Sequence, residues 1–223
     1  MRILEGERTL WTYLPPSYWQ SDRAYPVLFA CDGQNLFDDD TSYAGEWHLD
    51  EALDALAREG LEAVAVGIAN AGENRLTEYS PFTDVGRGFV SWVADELQPR
   101  IAADFRIAKE PERTGLLGSS AGGNICLLAL VERPDVFGFA GVLSPAFRLL
   151  GDEIFDLVAE RPVRGRIYVD IGGQERGVAE MHRMAGILRA KDVELEVITE
   201  PHDAHNEEAW ARRLPTALRF LLR

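Results

Sequence analysis

The chain has 223 residues, enough for one α/β domain with a sizeable core, and a single domain over residues 1–223 is expected. Its formal charge is −14, from 23 Lys+Arg against 37 Asp+Glu with no basic cluster, which argues against nucleic acid or an anionic membrane surface as partner. Cys31 and Cys126 have no CxxC or metal-type spacing, MRILEGERTLWTYL does not read as a signal peptide, and no apolar run nears the roughly 18 residues of a membrane span, so a cytoplasmic protein with reduced thiols is expected.

Taken in chain order, residues 9–14 predict a strand, PPSYW a turn, and YPVLFACDG at 25–33 a buried strand ending in a Gly loop. Residues 49–58 (LDEALDALAR) carry helical spacing and residues 61–68 read as a strand. The loop 70–88, NAGENRLTEYSPFTDVGRG, is too long and polar for a plain connector and is expected to line something. An amphipathic helix at 89–105 follows, then strand 113–117, helix 121–131, strands 139–143 and 167–171, helix 178–190, strand 194–199 and a closing helix at 207–222. Short apolar runs alternating with helical patterns are the signature of parallel βαβ units, and no repeat or linker interrupts them.

The stretch TGLLGSSAGGNICLLAL at 114–130 places two serines between a strand and a helix. A nucleophile on such a turn sits in strained backbone and needs small residues two positions before and two after it. Ser120 has Gly118 and Gly122 there, whereas Ser119 would have Leu117 and Ala121. Ser120 is therefore the candidate nucleophile, at a helix start whose dipole and free N–H groups favour developing negative charge. The plainer alternative is a serine that merely caps the helix.

A serine needs a histidine to take its proton and a carboxylate to orient that histidine. The strand–GxSxG–helix context predicts the α/β-hydrolase chain order of Ser, acid, His, which leaves out His48. His182 lies in a helical pattern beside Met181 and Met184, where a surface or packing role is expected. In TEPHDAHNEEAW both His202 and His205 follow the last strand; His205, at the mouth of the closing helix, is favoured, and His202 stays as a rim residue. For the acid, Glu175 follows a Gly-Gly turn and can reach over the sheet edge, so it is favoured over Asp170, inside the strand, and over Asp203. The expected oxyanion donors are the backbone N–H groups of Ala121 and of Gln34, in the loop after YPVLFACDG. The run DDD at 38–40 lacks EF-hand spacing and reads as a solvated turn, so no metal and no cofactor are expected.

These residues carry a resemblance. CDGQNLFDDDTSYAGEW, VGIANAGENRLTEYSPF, GLLGSSAGG, YVDIGGQE and HNEEAW together resemble the putative esterase family of α/β-hydrolases, which includes esterase D-like and enterochelin esterase-like domains. The resemblance implies an α/β-hydrolase fold, a doubly wound, mostly parallel sheet with helices on both faces. It also implies Ser120 as nucleophile and His205 as base, and it supports Glu175, where many relatives carry Asp. It further suggests that Arg75, Glu78 and Tyr79 face the substrate or brace the loops around it.

The expected activity is that of a serine esterase working through an acyl-enzyme on a small-molecule ester. An acyltransferase with the same triad and a non-catalytic binding protein are the alternatives. The stretch 144–165 is too short for a large cap domain, so an open site is expected. Phe37, Trp47, Tyr79, Phe82 and Phe147 fall in loops at the strand ends, where aromatic faces suit sugar, aryl or siderophore esters.

Overall fold

The computed structural model describes residues 7–223. The first half of the chain runs β1 (Leu10–Tyr13), β2 (Val27–Cys31), α1 (Leu49–Ala57), β3 (Val64–Ile68), α2 (Arg75–Glu78), α3 (Asp84–Trp92) and α4 (Gln98–Asp104). The second half runs β4 (Thr114–Ser119), α5 (Ala121–Glu132), β5 (Phe139–Leu143), α6 (Glu153–Glu160), β6 (Arg164–Gly172), α7 (Val178–Leu188), β7 (Asp192–Glu200) and α8 (Glu207–Leu221).

The seven strands form one sheet in the order β1-β3-β2-β4-β5-β6-β7. Among the described residues only β1 is antiparallel to its neighbour, pairing Leu10 with Ile68, so the sheet is mostly parallel and the fold is that of the α/β-hydrolases. Side-chain alternation sends each strand into two cores: in β2, Val27, Phe29 and Cys31 join one, Leu28 and Ala30 the other. Helices α3, α5, α6 and α7 cover the first core, and α1 and α8 the second. Helix α5 is apolar on every side because it lies between the sheet and its neighbouring helices, buried from Ala121 to Val131. In α8, by contrast, Trp210, Leu214, Ala217, Leu218 and Leu221 form one buried stripe.

The helix expected at 89–105 begins earlier, at Asp84, because the Thr83 hydroxyl accepts the Gly86 N–H at 2.9 Å and caps it. A single π turn, Val93–Leu97, separates its two α-helical parts. Among the described residues no helix is long and apolar enough to cross a membrane.

The strand order reverses direction between β2 and β4, so the loops leaving their carboxyl ends part to opposite faces and open a crevice. Gln34 follows β2 and Ser120 follows β4, so both candidate residues sit at that point.

Candidate active site

Ser120 occupies the turn between β4 and α5 with φ 56° and ψ −122°, a conformation that L-residues rarely adopt. Three backbone bonds hold it there: its N–H donates to Leu143 O at 2.9 Å, and its carbonyl accepts from Ala146 N at 3.2 Å and from Asn124 N at 3.3 Å. The glycines on either side leave little room for a side chain, Gly118 least of all. A Cβ at Gly118 would lie 2.7 Å from the carbonyl carbon of Gly122, and one at Gly122 would lie 3.2 Å from Cys31 Cβ. The Ser120 hydroxyl makes no capping bond to the helix, so a capping role does not explain it.

Across the site, His205 Nδ1 donates to Glu175 Oε2 at 2.6 Å. The other carboxylate oxygen, Oε1, accepts from the Gly172 N–H at 2.7 Å and from the Ser144 hydroxyl at 2.6 Å. Burial alone would push the Glu175 carboxyl up, but the bonds from His205, Ser144 and Gly172 outweigh it and hold the group below the usual carboxylate range. With Nδ1–H bound to an ionised carboxylate, the imidazole is left with Nε2 as its free acceptor. The indole of Trp210 stands edge-on to the His205 ring, with centroids 5.0 Å apart, and limits its rotation.

The loop after β2 brings Gln34 beside the elbow. Gly33 makes this possible, since a Cβ there would meet the Gly67 carbonyl carbon at 2.5 Å. Among the described residues no backbone carbonyl accepts from the N–H of Ala121 or of Gln34. Asp32, at φ 57°, anchors the loop: both its oxygens accept from Arg75, at 2.6 and 2.7 Å, and Oδ1 also accepts from Asn70 Nδ2 at 2.7 Å. The Tyr79 hydroxyl accepts the Asp32 N–H at 3.2 Å, and the Arg75 guanidinium lies 5.1 Å from the Tyr79 ring centroid.

A cavity of about 670 Å³ joins these parts, walled by Ser120, His205, Gln34, Arg75, Tyr43 and Trp210 among others. Not every expected lining residue reaches it. Glu78 is fully buried, its carboxylate accepting from Arg8 at 2.5 and 3.0 Å and from Ala71 N at 3.1 Å, and Tyr79 is equally buried. Both brace the loop rather than face substrate. Trp47 is corrected in the same way: 1% exposed, it packs against Trp210 at 5.5 Å instead of lining the cavity. Arg75 does both jobs, bracing Asp32 and lining the wall.

The alternates have other partners. Asp170 is fully buried and accepts from Arg213 Nε at 2.9 Å; burial pushes its carboxyl up despite that partner. Asp203 accepts from Arg213 at 2.9 Å and from Arg212 at 2.7 Å, bonds that outweigh its burial and hold it low. His202 is exposed on the loop after β7, and His182 meets Thr199 Oγ1 at 3.2 Å. His48, with Glu46 and Glu51, forms a surface group whose potential ligand atoms lie within 4.8 Å of one another, outside the cavity wall. In the DDD run, Asp38 and Asp39 accept from the N–H groups of Asp40 and Glu46 and close a turn.

Sequence reasoning missed Tyr43, Asn70, Ser144 and Arg213. The one with a readable signal is Arg213, a charge on the apolar stripe of α8, three residues after Trp210.

The profile of the family described as "Putative esterase" matches residues 2–221 of the chain. YbbA of Bacillus subtilis (strain 168) is 28% identical over 183 residues, which cover 76% of this chain and 70% of YbbA. The endo-1,4-beta-xylanase/feruloyl esterase of Xylanibacter ruminicola is 25% identical over 212 residues, 91% of this chain but 27% of that longer protein. Among solved structures, the IroE-like serine hydrolase of Shewanella oneidensis aligns with a TM-score of 0.79 at 20% identity, over 96% of this chain and 75% of that one.

Proposed function

The chain belongs to the Putative esterase family and is an esterase, and from that premise we propose that Ser120, His205 and Glu175 are its catalytic triad. The observation that carries the proposal is the 2.6 Å bond from His205 Nδ1 to Glu175, with His205 and Ser120 on the wall of one cavity.

In the reaction, His205 Nε2 takes the hydroxyl proton as Ser120 Oγ attacks the ester carbonyl. This step needs a serine–histidine hydrogen bond that forms once substrate is bound. The N–H groups of Ala121 and Gln34 receive the tetrahedral oxyanion, aided by the dipole of α5. The imidazolium returns its proton to the departing alkoxide, leaving an acyl group on Ser120. Water then attacks the acyl carbon, giving its proton to the same nitrogen, and collapse releases the acid and restores the serine. Glu175 stays ionised throughout and stabilises the imidazolium.

The substrate is a small-molecule ester of some bulk. A cavity of about 670 Å³ is the size of a drug-like ligand, and it combines hydroxyl and amide groups from Thr41, Ser42 and Asn70 with the aromatic faces of Tyr43 and Trp210. That mixture supports a sugar, aryl or siderophore-type ester, and the feruloyl esterase in the name of the X. ruminicola relative points the same way. The net charge of −14 speaks against a nucleic-acid partner, and the free thiols of Cys31 and Cys126 fit a reducing, cytoplasmic setting.

The test is labelling with a fluorophosphonate probe, followed by peptide mass spectrometry and p-nitrophenyl ester turnover. The label is expected on Ser120, and Ser120→Ala is expected to abolish it and to lower turnover by several powers of ten, leaving about 10³- to 10⁴-fold over water. Label on another residue, or wild-type turnover in Ser120→Ala, overturns the assignment.

A further inference from the structure

Ser144 follows β5 directly, one residue after Leu143, whose carbonyl accepts the Ser120 N–H, and nothing in its sequence context marks it. Three observations set it apart. It is fully buried, it holds φ 43° without being glycine, and its hydroxyl makes three hydrogen bonds.

Its backbone is held by the neighbouring strand: the N–H donates to Asp170 O at 2.9 Å, with Asp170 Oδ1 at 3.2 Å. A non-glycine residue at positive φ is strained, and such strain persists where the surroundings over-determine the position. The hydroxyl shows what the position is used for. Trp210 Nε1 donates to Ser144 Oγ at 2.9 Å, and Arg213 Nη2 donates to it at 2.7 Å. A hydroxyl has two lone pairs and one hydrogen, so both acceptor sites are taken. Its hydrogen can then point only at Glu175 Oε1, 2.6 Å away.

The consequence passes to the histidine. Oε1 of Glu175 is held by Ser144 and by the Gly172 N–H, so the carboxylate cannot turn, and Oε2 is presented to His205 Nδ1. The titratable and charged groups facing this carboxylate are His205, at 2.6 Å, and Arg213, whose Nη2 is 3.9 Å from Oε1. Arg213 is itself held by Asp170 and Asp203, each at 2.9 Å. The guanidinium thus stays behind the serine, ordering it without replacing His205 as partner of the acid.

We propose that Ser144 is a positioning residue of the esterase: its hydroxyl, oriented by Arg213 and Trp210, locks the Glu175 carboxylate in the rotation that aligns His205 for proton transfer. The inference rests on the triad reading above.

The test compares Ser144→Ala, Ser144→Gly and Ser144→Thr with wild type in kcat, KM, pH profile and thermal unfolding, with Ser120→Ala run alongside. Alanine keeps the backbone strain and loses the hydroxyl, glycine relieves the strain and loses the hydroxyl, and threonine keeps the hydroxyl while its β-branch adds strain. If the hydroxyl positions Glu175, alanine and glycine lose the same factor in kcat, about 10- to 100-fold, as the loss of a residue supporting a catalytic group does, with KM nearly unchanged. Threonine is then less stable than alanine yet more active. The acid limb of kcat/KM moves to higher pH in the alanine and glycine variants, because the lost bond favoured the ionised carboxylate. Unchanged kcat in alanine and glycine, threonine no better than alanine, or activity that simply follows unfolding temperature overturns the proposal. Should alanine fail to fold, the strain-free glycine variant carries the measurement. Wild-type turnover in Ser120→Ala sinks the triad itself, whereas an inactive Ser120→Ala beside a fully active Ser144→Ala sinks only this inference.

Discussion

The two sides of the site are held by different forces. On the nucleophile side, close approach works beside the backbone bonds of Ser120 and the Asp32–Arg75 pair: a Cβ at Gly33 or Gly118 would lie 2.5 or 2.7 Å from a backbone carbonyl carbon, and one at Gly122 would lie 3.2 Å from Cys31 Cβ. On the acid–base side, beyond β5, β6 and β7, position comes from polar bonds among Ser144, Asp170, Glu175, Asp203, His205 and Arg213. The first side leaves N–H groups and a hydroxyl free for chemistry. The second has its hydrogen-bonding capacity largely filled, so that one imidazole nitrogen alone is left to act. Steric placement acts only at contact range, whereas the polar network depends on matching each donor to an acceptor.

Breaking the network at its acid is the largest expected effect. Glu175→Gln keeps the shape and removes the charge that orients and stabilises the imidazolium, and kcat is expected to fall about 10⁴-fold with folding retained, measured by ester turnover beside circular dichroism. Next comes Arg213→Met, which leaves Asp170 buried without its partner; a loss of about 3–5 kcal/mol in urea unfolding is expected, and a near-neutral result would show that the network orders the site without supporting the fold. On the steric side, Gly118→Ala places a methyl 2.7 Å from backbone that cannot yield cheaply. A cost of about 1–3 kcal/mol is expected, with a disproportionate loss of kcat because the strained turn itself must shift.

The smallest effect concerns pH. Glu175 and Asp203 have folded-state pKa values below their unfolded ones, so their stabilisation is present above the ordinary carboxylate pKa and is lost as pH falls through the folded value. Asp170, raised by burial, works in the opposite sense: its contribution is present at low pH and lost as pH rises through its folded value. Urea unfolding from about pH 6 to about pH 3 should therefore show falling stability, less steep in Glu175→Gln than in wild type. An equal slope in both would mean that Glu175 does not contribute to the acid sensitivity.

Much of the molecule was legible in the chain. The alternation of apolar runs and helical patterns carried the parallel layered sheet, because a strand's period of two and a helix's period of 3.6 are local properties. The GxSxG register singled out Ser120 over Ser119 for the same reason. Preferring Glu175 to Asp170 needed only the distinction between a loop and a strand; in the structure Asp170 pairs with Arg213 and Glu175 with His205. The aromatic residues were read less well. Trp47 and Tyr79 looked like cavity walls and are packed inside, since a loop at a strand end can fold onto the core as readily as over a substrate.

Sequence by itself determined the strands and, apart from α2 and α6, the helices, together with the elbow serine and a short roster of acids and bases, since each of these follows from neighbours within a few positions. Tertiary structure alone decided that Ser144, an ordinary serine in the chain, faces Glu175, that Arg213 is buried among carboxylates, and that Arg75 anchors the loop carrying Gln34. Those pairings join residues up to 43 positions apart, and a hydrogen bond depends on distance and direction in space, which no local pattern encodes.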